Sequence, residues 1–95
     1  MTKREIVMKI SSETGLTQVE VKRVVQRTFD LIIEALVNKD KVELRNFGVF
    51  QVKRRKKRLG RNPNKPEEVI PIPEKNVPDF KPGKIMKEKV EKTTA

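Results

Sequence analysis

The chain has 95 residues and a net charge of +10, and it contains neither cysteine nor histidine. This length makes one domain, and the lack of cysteine excludes a disulfide framework, a zinc finger and thiol chemistry. Acid–base catalysis would rest on scattered carboxylates without recognisable pairing, so we expect no enzyme, catalytic residue, metal or cofactor. No apolar run approaches the roughly 20 residues that span a bilayer, and no signal peptide opens the chain. We therefore expect a cytoplasmic protein.

Two helices are predicted in the first part of the chain. Thr2 with Glu5, and Thr17 with Glu20, have the spacing of capping boxes, and Gly15 separates the two segments. Apolar residues recur along the second, longer helix at steps of three and four, and further apolar residues widen the stripe. One short helix cannot cover a stripe this broad, and a patch of this size normally marks an interface. We therefore expect an oligomer.

Beyond the second helix the hydrophobic period changes from 3.6 to 2, which predicts strands. Residues 42–44 alternate between apolar and charged, 46–48 form a turn, and the next strand runs into a basic segment. On the returning strand, Pro71 and Pro73 share one side, which must then face solvent as on the outer edge of a ribbon. Pro82 is predicted in the first turn of a short C-terminal helix.

The basic segment runs from Lys53 to Lys65 and holds eight cations, no acid, one glycine and one proline. Such a run cannot pack into a core, because each cation would need a buried partner and none is supplied locally. The segment must project into water or onto a polyanion. Together with the net charge, it indicates nucleic acid as the partner.

Three motifs give the chain a resemblance to the HU/IHF family of bacterial histone-like DNA-bending proteins over nearly its whole length. They are Asn-Phe-Gly-Val-Phe at 46–50, the run ending in Gly-Arg-Asn-Pro at 55–63, and Phe-Lys-Pro-Gly-Lys at 80–84. The resemblance implies an α+β fold: an intertwined dimer with an α-helical base, a three-stranded antiparallel sheet per subunit and an extended β-ribbon DNA-binding arm. The arms would embrace duplex DNA through its minor groove, and Pro63 would be the intercalating wedge that kinks it.

The resemblance also implies an organisation and a role. One DNA-binding domain would span 1–95, with a helical dimerisation base at 1–45, the sheet and arm at 46–80 with the tip near 61–66, and a C-terminal helix and tail at 81–95. The protein would bend DNA with low sequence specificity, and so contribute to nucleoid compaction and to the assembly of nucleoprotein complexes. Its partners would be double-stranded DNA and a second copy or a close paralogue, without a membrane. RNA stays an alternative partner, because charge alone does not distinguish the two nucleic acids.

By the same resemblance, Arg55 and Arg58 would line the groove-facing surface of the arm, while Arg61 and Asn62 would hydrogen-bond minor-groove acceptors. The full predicted DNA-binding set is Lys53, Arg54, Arg55, Lys56, Lys57, Arg58, Arg61, Asn62, Pro63, Lys65, Lys81, Lys84 and Lys87. The predicted dimer core is Val25, Phe29, Ile32, Ile33, Leu36, Phe47, Phe50 and Phe80.

The chain departs from the family pattern at three places. Asn46 stands where the family usually has glycine, but asparagine tolerates positive φ, so the turn should survive. Lys65-Pro66 replaces the Thr-Gly that follows the tip, and the return strand is longer by one residue, so an altered tip is expected. Arg54 stands where many relatives have an acid, which should strengthen non-specific phosphate binding.

Two alternatives come from different classes of function. The segment 12–17 and the following helix resemble a helix-turn-helix, whose second helix would read the major groove. Against this reading, the exposed cations of that helix are interleaved with acids. Pro63 and Pro66 fit a PxxP motif, which would make the arm a ligand for a protein-interaction module, although so short a match arises easily by chance.

Overall fold

The computed structural model describes residues 1–62 and 64–93. It has α+β architecture, as predicted. The elements in chain order are α1 (Lys3–Thr14), α2 (Gln18–Val37), β1 (Val42–Leu44), β2 (Gly48–Arg55), β3 (Arg58–Asn62), β4 (Lys65–Ile72), β5 (Lys75–Pro82) and α3 (Lys84–Glu91).

Both predicted capping boxes start helices. The hydroxyl of Thr2 accepts a hydrogen bond from the N–H of Glu5, whose side chain accepts one from the N–H of Thr2; the second pair does the same at α2. Gly15 ends α1 with a left-handed φ of 79°, which glycine adopts without steric cost. Val7 of α1 and Val21 of α2 are the buried hydrophobic residues of the described part of the chain. A single chain therefore has very little core of its own.

The strands form two antiparallel sheets. β1, β2 and β5 make a three-stranded sheet in the order β1-β2-β5, and β3 pairs with β4 in a two-stranded ribbon, which we call the arm. The chain leaves the sheet from β2 and returns to it at β5, so the arm is an outgrowth of these two strands. The radius of gyration is 19.1 Å, against about 12 Å for a compact chain of this length.

The turn between β1 and β2 forms as predicted. Asn46 has a left-handed φ of 67°, and the N–H of Phe47 donates to the carbonyl of Leu44 at 2.9 Å. Gly48 then begins β2 directly beneath the ring of Phe80, where a Cβ atom would lie 2.5 Å from two ring carbons. Only glycine fits there without movement of the ring.

Two prolines do not lie where the sequence pattern put them. Pro82 is the last residue of β5, opposite Gly48, rather than a residue in the first turn of α3. The reason is Gly83, which caps α3 in an extended conformation while its N–H donates to the carbonyl of Phe47 at 2.8 Å. Pro73 lies beyond the end of β4, so of these two prolines Pro71 alone lies on the returning strand, opposite Leu59.

The sheet begins at Val42, in the strand that the alternation at 42–44 predicts, and it ends at Pro82. β1 belongs to the sheet because it pairs along its whole length with β2. The functional division of the domain stays a prediction.

The pairing of the arm is irregular near its tip. Arg61 lies opposite Val69, but its neighbour Asn62 lies opposite Lys65, so the register shifts within a single step. Irregularities of this kind bend a ribbon and increase its twist. Pro63, the predicted wedge, lies outside the described residues.

Candidate nucleic-acid interface

The two faces of the three-stranded sheet have different roles. Val52 and Pro78 are paired across β2 and β5, and they line an apolar cavity together with Ile33, Leu36 and Val37 of α2; Asn76 and Val77 of β5 also border this cavity. Side chains alternate along a strand, so the neighbours of Val52 point to the opposite face. We call that opposite face the outer face; its residues are Val49, Gln51, Lys53 and Arg55 on β2, and Lys75, Val77, Asp79 and Lys81 on β5.

The outer face brings together three members of the predicted DNA-binding set. Lys53, Arg55 and Lys81 all lie on it and are exposed. Lys75 lies opposite Arg55 and is exposed as well, although it was not predicted as a site residue. Four cations thus lie on one sheet surface at the base of the arm, which suits a polyanionic ligand.

The arm carries most of the remaining set. Lys56 and Lys57 connect β2 to β3 and are exposed, Arg58, Arg61 and Asn62 belong to β3, and Lys65 begins β4. Lys84 and Lys87 lie apart from them, exposed on α3.

Arg54 points the other way from Lys53 and already has a partner. Its Nε forms an ion pair with a carboxylate oxygen of Glu74, in the short connection between β4 and β5. Arg54 was predicted to strengthen phosphate binding, and no sequence pattern indicated this acid as its partner. A phosphate would have to compete with Glu74 for the guanidinium group.

An acid at the centre of the outer face was also missed. The side chain of Asp79 is 28% exposed. Its Oδ2 accepts a hydrogen bond from the Nε2 of Gln51 at 3.3 Å and lies 3.4 Å from the Nζ of Lys53. The pKa of Asp79 is lowered below its usual value, mainly by the hydrogen bond from Gln51. The hydrogen bond and charge of Lys53 and the charge of Lys81 lower the pKa further, whereas desolvation of the carboxylate raises it. The carboxylate is therefore ionised at neutral pH.

The whole pattern of helices, sheet and arm is matched by known proteins. Residues 1–91 match the family described as bacterial DNA-binding protein. The chain belongs to this family. Among its relatives in the family, DNA-binding protein HU 1 of Bacillus subtilis is 42% identical over 90 residues, which cover 95% of this chain and 97% of the relative. DNA-binding protein HU of Geobacillus stearothermophilus is 43% identical, with 95% and 99% covered.

Solved structures from the same family share the fold. An Anabaena HU–DNA cocrystal structure superimposes with a TM-score of 0.88 at 38% identity, covering 98% of this chain and 100% of that one. HU from Thermotoga maritima gives a TM-score of 0.68 at 30% identity, with 95% and 98% covered.

Membership of the family confirms the resemblance inferred from the three motifs, the α+β fold with its sheet and arm, and the prediction of an architectural DNA-binding protein rather than an enzyme. The intertwined dimer stays a prediction. In residues 1–62 and 64–93, no helix has the length and apolar character needed to cross a membrane. The roles of the individual site residues stay predictions.

Proposed function

We propose that this protein binds duplex DNA through the minor groove with its arm, bends the duplex, and has low sequence specificity. It would thereby compact the nucleoid, within the cytoplasm, and help to assemble nucleoprotein complexes. The observation that carries the proposal is that the arm continues from the cationic outer face: β2 lies in the three-stranded sheet and leads directly into β3 of the arm. A duplex held by the arm would lie against the outer face.

Low specificity follows from the chemistry of these contacts. Cations on the outer face and along the arm would bind phosphates, which carry no sequence information. Arg61 and Asn62 near the tip of the arm would meet minor-groove acceptors, which distinguish little beyond A·T from G·C. The energy of binding would come from the backbone and from how easily the duplex deforms.

The acting unit is a dimer, with a second copy of this chain as the simplest partner and a close paralogue as the alternative. Support comes from the predicted dimer core, which one chain covers only in part. Phe29, Ile33, Phe47 and Phe80 are 39%, 59%, 47% and 36% exposed, although Phe80 packs on Phe50 with ring centroids 4.7 Å apart. Two chains would cover these residues and would present two arms to one duplex.

Bending would depend on the wedge at the tip. Proline is rigid and has no N–H group to desolvate, so Pro63 can replace a stacking contact between two base pairs. Unstacking costs a few kcal/mol per step, which the additional protein surface met by the bent duplex offsets. Duplexes that already bend easily should therefore bind more tightly.

The test compares an intact duplex of about 30 base pairs with the same duplex carrying a central nick, which lowers the cost of a kink without changing the charge. We expect the native protein to prefer the nicked duplex. Pro63→Ala should weaken binding to the intact duplex by about fivefold to tenfold and reduce the bend measured by energy transfer between the duplex ends. Pro71→Ala, the same change within the arm but away from the tip, is the matched control.

Equal affinity for the two duplexes, together with an unchanged bend for Pro63→Ala, would contradict the wedge and leave only electrostatic attachment. Repeating the titrations at several salt concentrations tests that attachment. If a dimer neutralises about ten phosphates, log K should fall with log salt with a slope of about −9. A slope of about −2 would contradict engagement of the arms, and tighter binding to an RNA duplex would contradict the choice of DNA.

A further inference from the structure

Asp79 is an acid on a surface that is proposed to bind phosphates. It lies opposite Gln51 in the register of β2 and β5, with Lys81 two residues along its own strand and Lys53 diagonally across. Its carboxylate and the phosphates would carry the same charge at the same surface. Like charges this close repel, so an ionised acid here opposes the binding of DNA.

Asp79 also contacts Lys53, which belongs to the predicted DNA-binding set. Lys53 is 50% exposed, and its Nζ lies 3.4 Å from Oδ2 of Asp79. The Nε2 of Gln51 reaches the same oxygen at 3.3 Å, so the carboxylate is held in place from two sides. A phosphate that approaches Lys53 meets a lysine whose charge is already compensated.

We propose that Asp79 is an internal competitor for DNA phosphate, which occupies Lys53 in the free protein and must be displaced before that lysine can bind the duplex. The inference rests on the proposed function, because it assigns the outer face to DNA. Asp79 then sets a limit on affinity and on the residence time of the complex, without any contact of its own that favours DNA. Lys53 would be a cation that becomes available by exchange. Lys81 also lies near Asp79 and lowers its pKa through its charge, but in the described part of the chain no ion pair joins the two side chains.

The binding properties that follow differ from those of a purely cationic surface. Removing the acid should tighten binding, because one repulsion is lost and Lys53 no longer has to break an ion pair. An ion pair between partly exposed groups is weak, so the change should be moderate. Most of it should come from slower dissociation, since short-range interactions act mainly on the rate of leaving.

The experiment measures affinity, dissociation rate and salt dependence for Asp79→Asn on an intact duplex at fixed moderate salt. We expect binding tighter by about threefold to tenfold, and a salt slope more negative by about 0.9 for each further phosphate that the variant neutralises. Asp40→Asn is the matched control: it removes the same charge from an exposed residue between α2 and β1. Its effect should stay within about 1.5-fold, because among the described residues no ion pair joins Asp40 to a cation of the outer face, and exposed charges that form no pair are screened by salt.

A double-mutant cycle with Lys53→Gln tests whether Lys53 carries the effect. If Asp79 acts by occupying Lys53, most of the increase in affinity from Asp79→Asn should disappear once Lys53 is replaced. Thermal melting of each variant without DNA shows whether the fold is intact. A variant that melts like the native protein reports on binding alone.

The outcomes separate this inference from the proposed function. If the native protein does not bind duplex DNA, the proposed function fails. If it binds, but Asp79→Asn matches Asp40→Asn, the competitor role is overturned. If Asp79→Asn folds normally and binds more weakly, Asp79 is a positioning residue that holds Lys53 towards DNA, which also overturns the proposal.

Discussion

The arm and the rest of the molecule, which we call the body, are joined by continuous strands but are stabilised by different means. The body has capped helices, the cluster of Phe50 and Phe80, and a sheet against α2. The arm is a two-stranded ribbon whose apolar residues Leu59 and Val69 are 74% and 52% exposed. A two-stranded ribbon is at best marginally stable alone in water. The body is therefore stabilised by packing within the protein, whereas the apolar side chains of the arm would be covered only by a bound ligand.

The exposure of an apolar side chain does not by itself reveal its role. Ile33 of the body and Leu59 of the arm are both exposed in a single chain, at 59% and 74%. Ile33 belongs to a stripe on a helix that already contributes to an apolar cavity, whereas Leu59 stands on a two-stranded ribbon that projects from the body. We expect a second subunit to cover the first and nothing in the free protein to cover the second.

The largest expected effect tests this difference directly. Ile33→Asp should lower the free energy of unfolding by more than about 3 kcal/mol, because it would bury an unpaired charge in the subunit interface. Leu59→Asp should change it by less than about 0.5 kcal/mol, since that side chain stays in water. Thermal melting by circular dichroism, with sedimentation to measure the mass, gives both values.

The native protein supplies the control for this pair. A dimer that folds as it assembles melts at a temperature that rises with protein concentration. If the melting temperature is independent of concentration and Ile33→Asp melts like the native chain, the stripe on α2 is a solvated face and the dimer must be abandoned.

The second effect is smaller and concerns two glycines, one in each region. A Cβ atom at Gly48 would lie 2.5 Å from the ring of Phe80 and 2.6 Å from the backbone oxygen of Lys81. At Gly60 of the arm, the atom met first is the terminal methyl of Ile72 at 2.8 Å. That methyl group can rotate away, whereas the backbone oxygen of Lys81 cannot.

Gly48→Ala should therefore destabilise the body by about 2 to 3 kcal/mol. Gly60→Ala should change the stability by less than about 1 kcal/mol, because the loss of freedom in the unfolded chain offsets the small displacement. Urea unfolding measures both. Equal losses at the two positions would show that the arm is as closely packed as the body, and would contradict the difference in packing between them.

The sequence predicted the fold well where the signal is local. The capping boxes at Thr2 and Thr17, and the turn at Asn46, each depend on a few neighbouring residues, and all three form as expected. The predicted start of α3 was wrong because Pro82 is compatible with both the end of a strand and the first turn of a helix. The hydrogen bond from Gly83 to the distant Phe47 decides between them, and no local pattern contains it.

The sequence predicted the cations of the candidate site but not the acids that pair with them. A run of lysines and arginines is visible in the sequence, so Lys53 and Arg54 could be predicted as DNA-binding residues. Their partners Asp79 and Glu74 lie about twenty residues or more away and are brought close by the register of β2 with β5 and the return of the chain from the arm. Alternation along β5 gives the face on which Asp79 lies, but only the register identifies its partners.

The smallest expected effect concerns Asp79 in the free protein. Its pKa is lower in the folded state than in the unfolded chain, mainly through the hydrogen bond from Gln51, so the unfolded chain takes up the proton first. The stabilisation is therefore complete at neutral pH, above the unfolded value near 3.9, and is lost as the pH falls through the lower folded value. Urea unfolding of the native protein and Asp79→Asn, from about pH 6 to about pH 3, should show a stability difference that changes across this window.

Gln51→Ala separates the causes of this effect, because it removes the main hydrogen bond and leaves Lys53 in place. The pH dependence that belongs to Asp79 should become weaker in this variant, but some should remain through the charges of Lys53 and Lys81. The effect should be small, because partly exposed charges are screened by water. A stability difference between the native protein and Asp79→Asn that is constant with pH would mean that the carboxylate is not stabilised by its neighbours. Lys53 would then be as available to DNA as the other cations of the outer face, and Asp79 would not act as a competitor for phosphate.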